Sequence, residues 1–212
     1  MIATHRGHEF QFLPGRTHPQ YSIDCMLADE KDFREKYWDV RPGDVVVDAG
    51  ASYGAYSLAA AASGFVLVVA FEPEPTVFTD LCLNIAENQW QDVCTPLPWA
   101  LWDRATIVNM RDYAPHWPQQ TITGGYPGVR LDSEAFAFGR LDWFKLDVEG
   151  AEMHALRGAR ETLTKFKPRV IVECHDFLDA TLLKQCRDLL EECGIGNLIE
   201  VPRPPCTMLV SR

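Results

Sequence analysis

With 212 residues, 47% of them hydrophobic and 24% charged, and with 14 Gly and 14 Pro, the chain has the composition of an ordinary globular protein, which excludes fibrous and disordered classes. Its length suits one substantial core and is short for two. The 30 acidic and 20 basic residues leave a net charge of −10, which argues against sequence-blind binding of nucleic acid or of an anionic membrane surface. His5, Arg6, His8 and Glu9 break the N-terminus, so it has no apolar core of signal-peptide length. The most apolar window, 58–71, is interrupted by Ser63-Gly64 and falls short of the ~18 apolar residues of a membrane span. Seven cysteines, at 25, 82, 94, 174, 186, 193 and 206, form no CxxC pair. Reduced thiols in the cytoplasm are expected, and no Cys/His spacing matches a structural zinc site.

Residues 1–20 carry Pro14, Gly15, Pro19 and three histidines without periodicity and read as an arm or short hairpin. Phe33 and Tyr37 at i, i+4 predict a short amphipathic helix over 29–38. Arg41-Pro42-Gly43-Asp44 then turns the chain into Val45-Val46-Val47-Asp48, a strand buried on both faces. The following Ala49-Gly50-Ala51-Ser52-Tyr53-Gly54 is a glycine loop opening a helix over 55–63, closed by Gly64. A second strand over 65–71 ends at Glu72-Pro73, and a second helix runs over 76–88 with Glu74 and Asp80 near its start. The stretch 93–102 contains two prolines and reads as a third strand at an edge or with a bulge.

Alternation breaks over 105–140, where Tyr113, His116, Trp117 and Tyr126 lie among Pro and Gly. A substrate-facing insertion is expected there. Strand and helix then resume: Leu141–Asp147 is a strand ending in a carboxylate, and the next helix carries Met153, Leu156, Leu163 and Phe166 on one face and His154 on its solvated side. Residues 168–175 are a fifth strand, 180–193 a helix, and 197–201 with 207–210 a terminal hairpin. The fold expected is α/β, a Rossmann-like, mostly parallel, doubly wound sheet ending in an antiparallel hairpin. Residues 1–40 would form an arm and short helix, and 41–212 a single domain.

Asp48, Glu72, Asp147 and Glu173 stand at the C-terminal ends of strands, the edge where such sheets bind ligands. Glu72 lies about twenty residues past the glycine loop, the position from which an acid bonds a ribose. The loop is not the G-x-G-x-x-G expected against a pyrophosphate. A carboxylate before its first glycine also suits a cationic centre, so S-adenosylmethionine fits both facts. Group transfer from such a cofactor to an acceptor needs in-line positioning and a base to take up a proton. Asp147 is the preferred base, with Glu149 and Glu152 close behind it. Glu149 and Glu152 equally suit the dipole of the helix they precede. Glu173 and His175 alternate along their strand and point the same way; they are candidate acid/base or positioning groups. No metal is expected, although Asp147, Glu173 and His175 are the set a divalent cation would use. His116 and Trp117 are candidates for the substrate wall.

The motifs Asp48–Gly54 with Tyr56, Ala70–Pro75 with Leu81, Asn84 and Asn88, Phe144–Glu152 with Leu156–Ala159, and Pro168–His175 together resemble the successive signatures of FkbM-family methyltransferases, over roughly residues 40–178. The resemblance implies a class I S-adenosylmethionine-dependent enzyme that methylates a hydroxyl of a sugar, glycoconjugate or secondary metabolite, with S-adenosylhomocysteine as product. It implies that Asp48, Gly50, Ser52, Tyr53 and Gly54 line the methionine end of the cofactor, that Glu72 holds the ribose, and that Ala100, Leu101 and Asp103 lie near the adenine. Ser52 stands where the family pattern usually has Asn. The acceptor would be a small molecule or glycan, with neither nucleic acid nor membrane as partner. Two other readings stand beside this one: a non-catalytic domain that binds S-adenosylmethionine or a partner protein, and an NAD-dependent oxidoreductase.

Overall fold

Three successive β-branched residues followed by a buried carboxylate make Val45–Ala49 a strand whose side chains are, from Val46 onward, almost wholly excluded from water. The computed structural model describes residues 2–13, 31–64, 66–109, 125–133, 136 and 138–211. These fall into two compact units, Met1–Pro98 and Trp99–Arg212.

In the first unit the chain opens with the antiparallel hairpin of β1 (Ile2–His5) and β2 (His8–Gln11), followed by α1 (31–37). The strands β3 (Val45–Ala49), β4 (Leu67–Phe71) and β5 (Cys94–Leu97) pair in that order, all parallel. Between them run α2 (Ala55–Ala62) and α3 (Pro75–Glu87). Five alanines in α2 let it lie close to its neighbours, and seven of its eight residues are buried. Proline opens α3, and the Glu74 carboxylate caps it by accepting from Val77 N–H at 2.6 Å. Asp80, expected to serve the helix dipole, is buried instead.

The hairpin is tied to α3 through side-chain amides. Asn88 accepts from Gln11 N–H and donates to Gln11 C=O, both at 2.7 Å, and Asn84 accepts from Leu13 N–H at 2.7 Å. The single strand expected over 93–102 is two strands. Pro96 and Pro98 supply no N–H to a ladder, and the chain leaves β5 at Leu97.

The second unit begins with β6 (Ala100–Leu101), which joins β7 (Thr106–Val108) and β8 (Tyr126–Val129) in a three-stranded sheet of order β6-β8-β7. Part of the expected insertion is therefore regular structure. Tyr126-Pro127-Gly128, read as loop, is strand, and Gly128 is required because a Cβ there would lie 2.8 Å from Val108 Cγ2. Next, β9 (Trp143–Leu146) pairs in parallel with β10 (Arg169–Cys174). The helix expected between them is two helices, α4 (Glu152–Gly158) and α5 (Arg160–Phe166), broken at Ala159. A carboxylate remote in sequence explains the break: Asp132 accepts from Glu161 N–H at 2.9 Å and from Thr162 N–H at 2.8 Å, so α5 has its own cap. Gly158 marks a close approach, since a Cβ there would lie 1.9 Å from the Trp102 carbonyl oxygen.

After α6 (Leu182–Glu192), β11 (Leu198–Arg203) and β12 (Cys206–Ser211) form the expected hairpin, with β12 antiparallel to β10. Trp143, Phe144, Leu146, Val170, Ile171, Val172 and Leu209 are almost wholly buried in these strands. Each such side chain contributes roughly 1.5–3 kcal/mol of apolar burial. No described helix is long and apolar enough to cross a membrane.

Candidate active site

The end of β4 holds the glycine loop in place. Phe71 C=O accepts from both Gly50 N–H and Ala51 N–H at 2.9 Å, and the chain then passes through left-handed Ser52 (φ 51°) to Gly54 (φ 98°) at the start of α2. Gly54 needs that conformation and the space, because a Cβ would lie 2.8 Å from Leu81 Cδ1. Asn84 donates to Tyr53 C=O at 2.9 Å, so the side chain that binds Leu13 also fixes the loop. Asp48 is fully buried and accepts from the Ser57 hydroxyl at 2.7 Å, which joins the strand end to the first turn of α2.

Glu72 is the best-defined group in this unit. One carboxylate oxygen accepts from Ser52 N–H and the other from Glu74 N–H, both at 2.9 Å. Both oxygens thus act as acceptors, the role that a vicinal diol requires of a carboxylate. The loop carries two carboxylates, Asp48 and Glu72, and residues 48–56 include no Lys or Arg. This donor and acceptor set fits the ribose and sulfonium of S-adenosylmethionine better than a pyrophosphate.

In the second unit, period-two alternation in β9 and just beyond it puts Lys145 and Asp147 on one side, with Nζ and Oδ2 3.6 Å apart. Lys145 is buried within its strand. The chain then turns through left-handed Glu149 (φ 57°) and Gly150 (φ 103°) into α4. That turn brings two glutamates to opposite edges of one histidine. His175 Nε2 lies 3.1 Å from Glu149 Oε2 and 3.9 Å from Asp147 Oδ1, while its Nδ1 lies 2.8 Å from Glu152 Oε1.

Burial opposes a charge on His175, but the hydrogen bonds to Glu149 and Glu152, with the neighbouring carboxylates, prevail and raise its pKa to about 11. The ring is therefore an imidazolium at neutral pH, a cation among carboxylates rather than a free base. Burial pushes the Asp147 carboxyl above the ordinary carboxylate range, with Lys145 acting in the opposite direction. Asp147 thus has the raised proton affinity that suits a general base.

Several expectations are corrected by this geometry. Glu152 stands in the first turn of α4, where a carboxylate suits the dipole, but it is also wholly buried and bonded to His175. His154 is not on a solvated face: its ring stacks on Trp102 at 4.0 Å, and its Nδ1 lies 2.7 Å from Asp103 Oδ2. Helical periodicity identified the face of α4 but not the chain segment that covers it. Asp103 also pairs with Arg104, so its carboxylate is engaged on both oxygens. Ala100 and Leu101 lie in β6, paired with Gly128 and Val129.

The cation set Asp147, Glu173 and His175 does not converge as one cluster. His175 groups with Asp147 and Glu149, and separately with Glu173 and Cys206, each trio having ligand atoms within 4.8 Å of one another. In this arrangement both ring nitrogens of His175 are engaged by carboxylates, Nε2 by Glu149 and Nδ1 by Glu152. His116 and Trp117 lie outside the described residues.

A parallel α/β unit with a glycine loop, an acid at the next strand end and an antiparallel terminal hairpin define a Rossmann-like methyltransferase fold. A family model described as the methyltransferase FkbM domain matches residues 48–195, running through both units, and the chain belongs to that family. Among solved structures, it is similar to methyltransferase FkbM from Methylobacillus flagellatus KT, with a TM-score of 0.61 and 18% identity over 92% of this chain and 56% of that one. It is also similar in fold to a 16S rRNA methyltransferase of T. thermophilus solved with AdoMet and guanosine, with a TM-score of 0.51 and 17% identity over 100% of this chain and 49% of that one. A curated relative, the ribosomal protein L11 methyltransferase of Bacillus cytotoxicus, is 35% identical over 77 residues, 36% of this chain and 22% of that protein. The chain thus spans about a fifth of the curated relative and just over half of the FkbM structure.

Proposed function

We propose that the protein is an S-adenosylmethionine-dependent O-methyltransferase acting on a hydroxyl of a sugar, glycoconjugate or secondary metabolite. The observation that carries the reading is Asp147, a carboxylate of raised proton affinity at a strand end, flanked by Lys145 and by the protonated His175. Asp48, Gly50, Ser52, Tyr53 and Gly54 take the methionine end of the cofactor and Glu72 its ribose hydroxyls. Ala100, Leu101 and Asp103 are the candidates for the adenine, and His116 and Trp117 for the acceptor. When bound, the cofactor supplies an electrophilic methyl on a sulfonium; transfer forms the O–CH3 bond, breaks C–S and leaves the electron pair on sulfur. Asp147 accepts a hydrogen bond from the acceptor hydroxyl and takes its proton as the oxygen loses charge to the methyl. His175 and Lys145 moderate the repulsion among Asp147, Glu149 and Glu152, and a Glu173 oxygen lies within 4.8 Å of a His175 ring nitrogen.

The net charge of −10 supports a neutral acceptor over RNA. The described cysteines, all free, suit a reducing compartment such as the cytoplasm. Calorimetry with S-adenosylmethionine, S-adenosylhomocysteine and NAD tests the cofactor: the first two bind, and binding of NAD alone would overturn the reading. A labelled-methyl transfer screen across sugars, hydroxylated metabolites, ribosomal proteins and rRNA then identifies the acceptor. Label found only in RNA or protein would overturn the acceptor class.

A further inference from the structure

We infer that Glu152 is a positioning residue that acts through His175, holding the imidazole by Nδ1 so that Nε2–H is presented to Glu149 and, beyond it, to Asp147. The inference deepens the methyl-transfer reading and rests on it for its consequence in turnover, but its geometry stands separately.

Glu152 is wholly buried at the start of α4. Its Oε1 accepts from Gly150 N–H at 3.0 Å and from His175 Nδ1 at 2.8 Å, while its Oε2 is buried with no hydrogen-bond partner among the described residues. A carboxylate buried with one oxygen unsatisfied costs stability, so helix capping alone is a poor account of it. The left-handed pair Glu149 and Gly150 turns the backbone so that Gly150 N–H fixes the Glu152 carboxylate while the Glu149 side chain reaches the opposite ring nitrogen.

The histidine is thus oriented from both edges, and the two edges differ. Glu152 is excluded from water, whereas the side chains of Asp147 and Glu149 keep about a quarter of their exposure. The buried partner sets the ring and the accessible partners meet the acceptor. This is the relation of an orienting acid to a histidine. The other groups that bear on the ring are Glu173 and Cys206, with Lys145 beyond Asp147. At Nδ1 itself the partner is Glu152, at 2.8 Å.

The test uses side-chain 15N–1H NMR of the full chain with labelled histidine, alongside methyl-transfer kinetics. In the wild type, both His175 ring nitrogens are expected to be protonated at neutral pH, with the Nδ1 proton far downfield and slow to exchange. In Glu152→Gln the downfield proton is lost, the ring titrates at least one pH unit lower, and the pH profile of turnover moves with it. Turnover falls about 10- to 100-fold, with cofactor KM unchanged. Glu152→Asp recovers part of the loss. A wild-type ring with an unprotonated Nδ1, or a Gln variant whose ring titrates as in the wild type, would overturn the inference. The wild-type spectrum decides the matter even where the variant does not fold. Failure of the methyl-transfer reading is distinct: the wild type would then bind no S-adenosylmethionine and transfer no label, whatever the ring spectrum.

Discussion

Two carboxylate sites stand at strand ends in this protein, and they are held by different means. Glu72 in the first unit is held by two backbone N–H groups, those of Ser52 and Glu74. The Asp147, Glu149 and Glu152 group in the second unit is fixed by one imidazolium and one buried ammonium. Backbone donors are rigid, neutral and indifferent to pH, which suits recognition of an uncharged diol. Charged partners couple protonation at one atom to that of the next, which suits proton removal. The same residue type thus serves binding in one place and chemistry in the other, according to what solvates it.

The contrast is broken most severely at Asp147. Asp147→Asn keeps the shape and removes the base, so initial rates of methyl transfer are expected to fall by about 10²–10⁴, with the affinity for S-adenosylmethionine by calorimetry unchanged. Undiminished turnover would remove Asp147 from the mechanism. Glu72→Ala is expected to do the reverse: loss of charged hydrogen bonds worth about 1.5–3 kcal/mol weakens cofactor binding roughly 10- to 100-fold, with turnover at saturation much less affected.

Gly54→Ala probes the neutral scaffold alone. The added methyl meets Leu81 in a left-handed backbone, and urea denaturation should show a loss of about 1–3 kcal/mol that does not vary with pH. The gentlest test is the pH dependence of stability in the charged site. His175, raised from 6.5 to about 11, and Asp147, raised from 3.8, both bind protons more tightly folded than unfolded. The folded state therefore holds more protons, and stability falls as pH rises. The His175 contribution is complete below pH 6.5 and is lost as pH climbs through about 11. Its slope is at most about 1.4 kcal/mol per pH unit for one proton. A flat profile between pH 7 and 10 would show that the ring is neutral in the folded protein.

Much of this was legible because it is local. The glycine loop, the strand-end acids, Glu74 at the start of α3 and the terminal hairpin all follow from spacing within a few residues. The family signatures add the order in which they occur. The break at Pro98 and the division of α4 from α5 were not legible in the same way. The first depends on where the chain goes after losing two donors, and the second on a cap from Asp132, 29 and 30 residues away from the amides it accepts. His154 was misread because its cover, Trp102 and Asp103, lies some fifty residues earlier. Glu152 carried a signal, its position three residues after Glu149, but that spacing serves a helix start equally well.

By itself, then, the sequence of this FkbM-family protein determined which elements form, which strand ends carry acids and that the loop after β3 suits a ribose-bearing cation. Those features arise from backbone sterics and periodicity, which act over one or two turns of chain. Only the tertiary structure decided which acid became the buried partner of His175, which kept access to water, and that the histidine is a cation. Those outcomes depend on desolvation and on distances between groups more than twenty residues apart, and no local pattern encodes them.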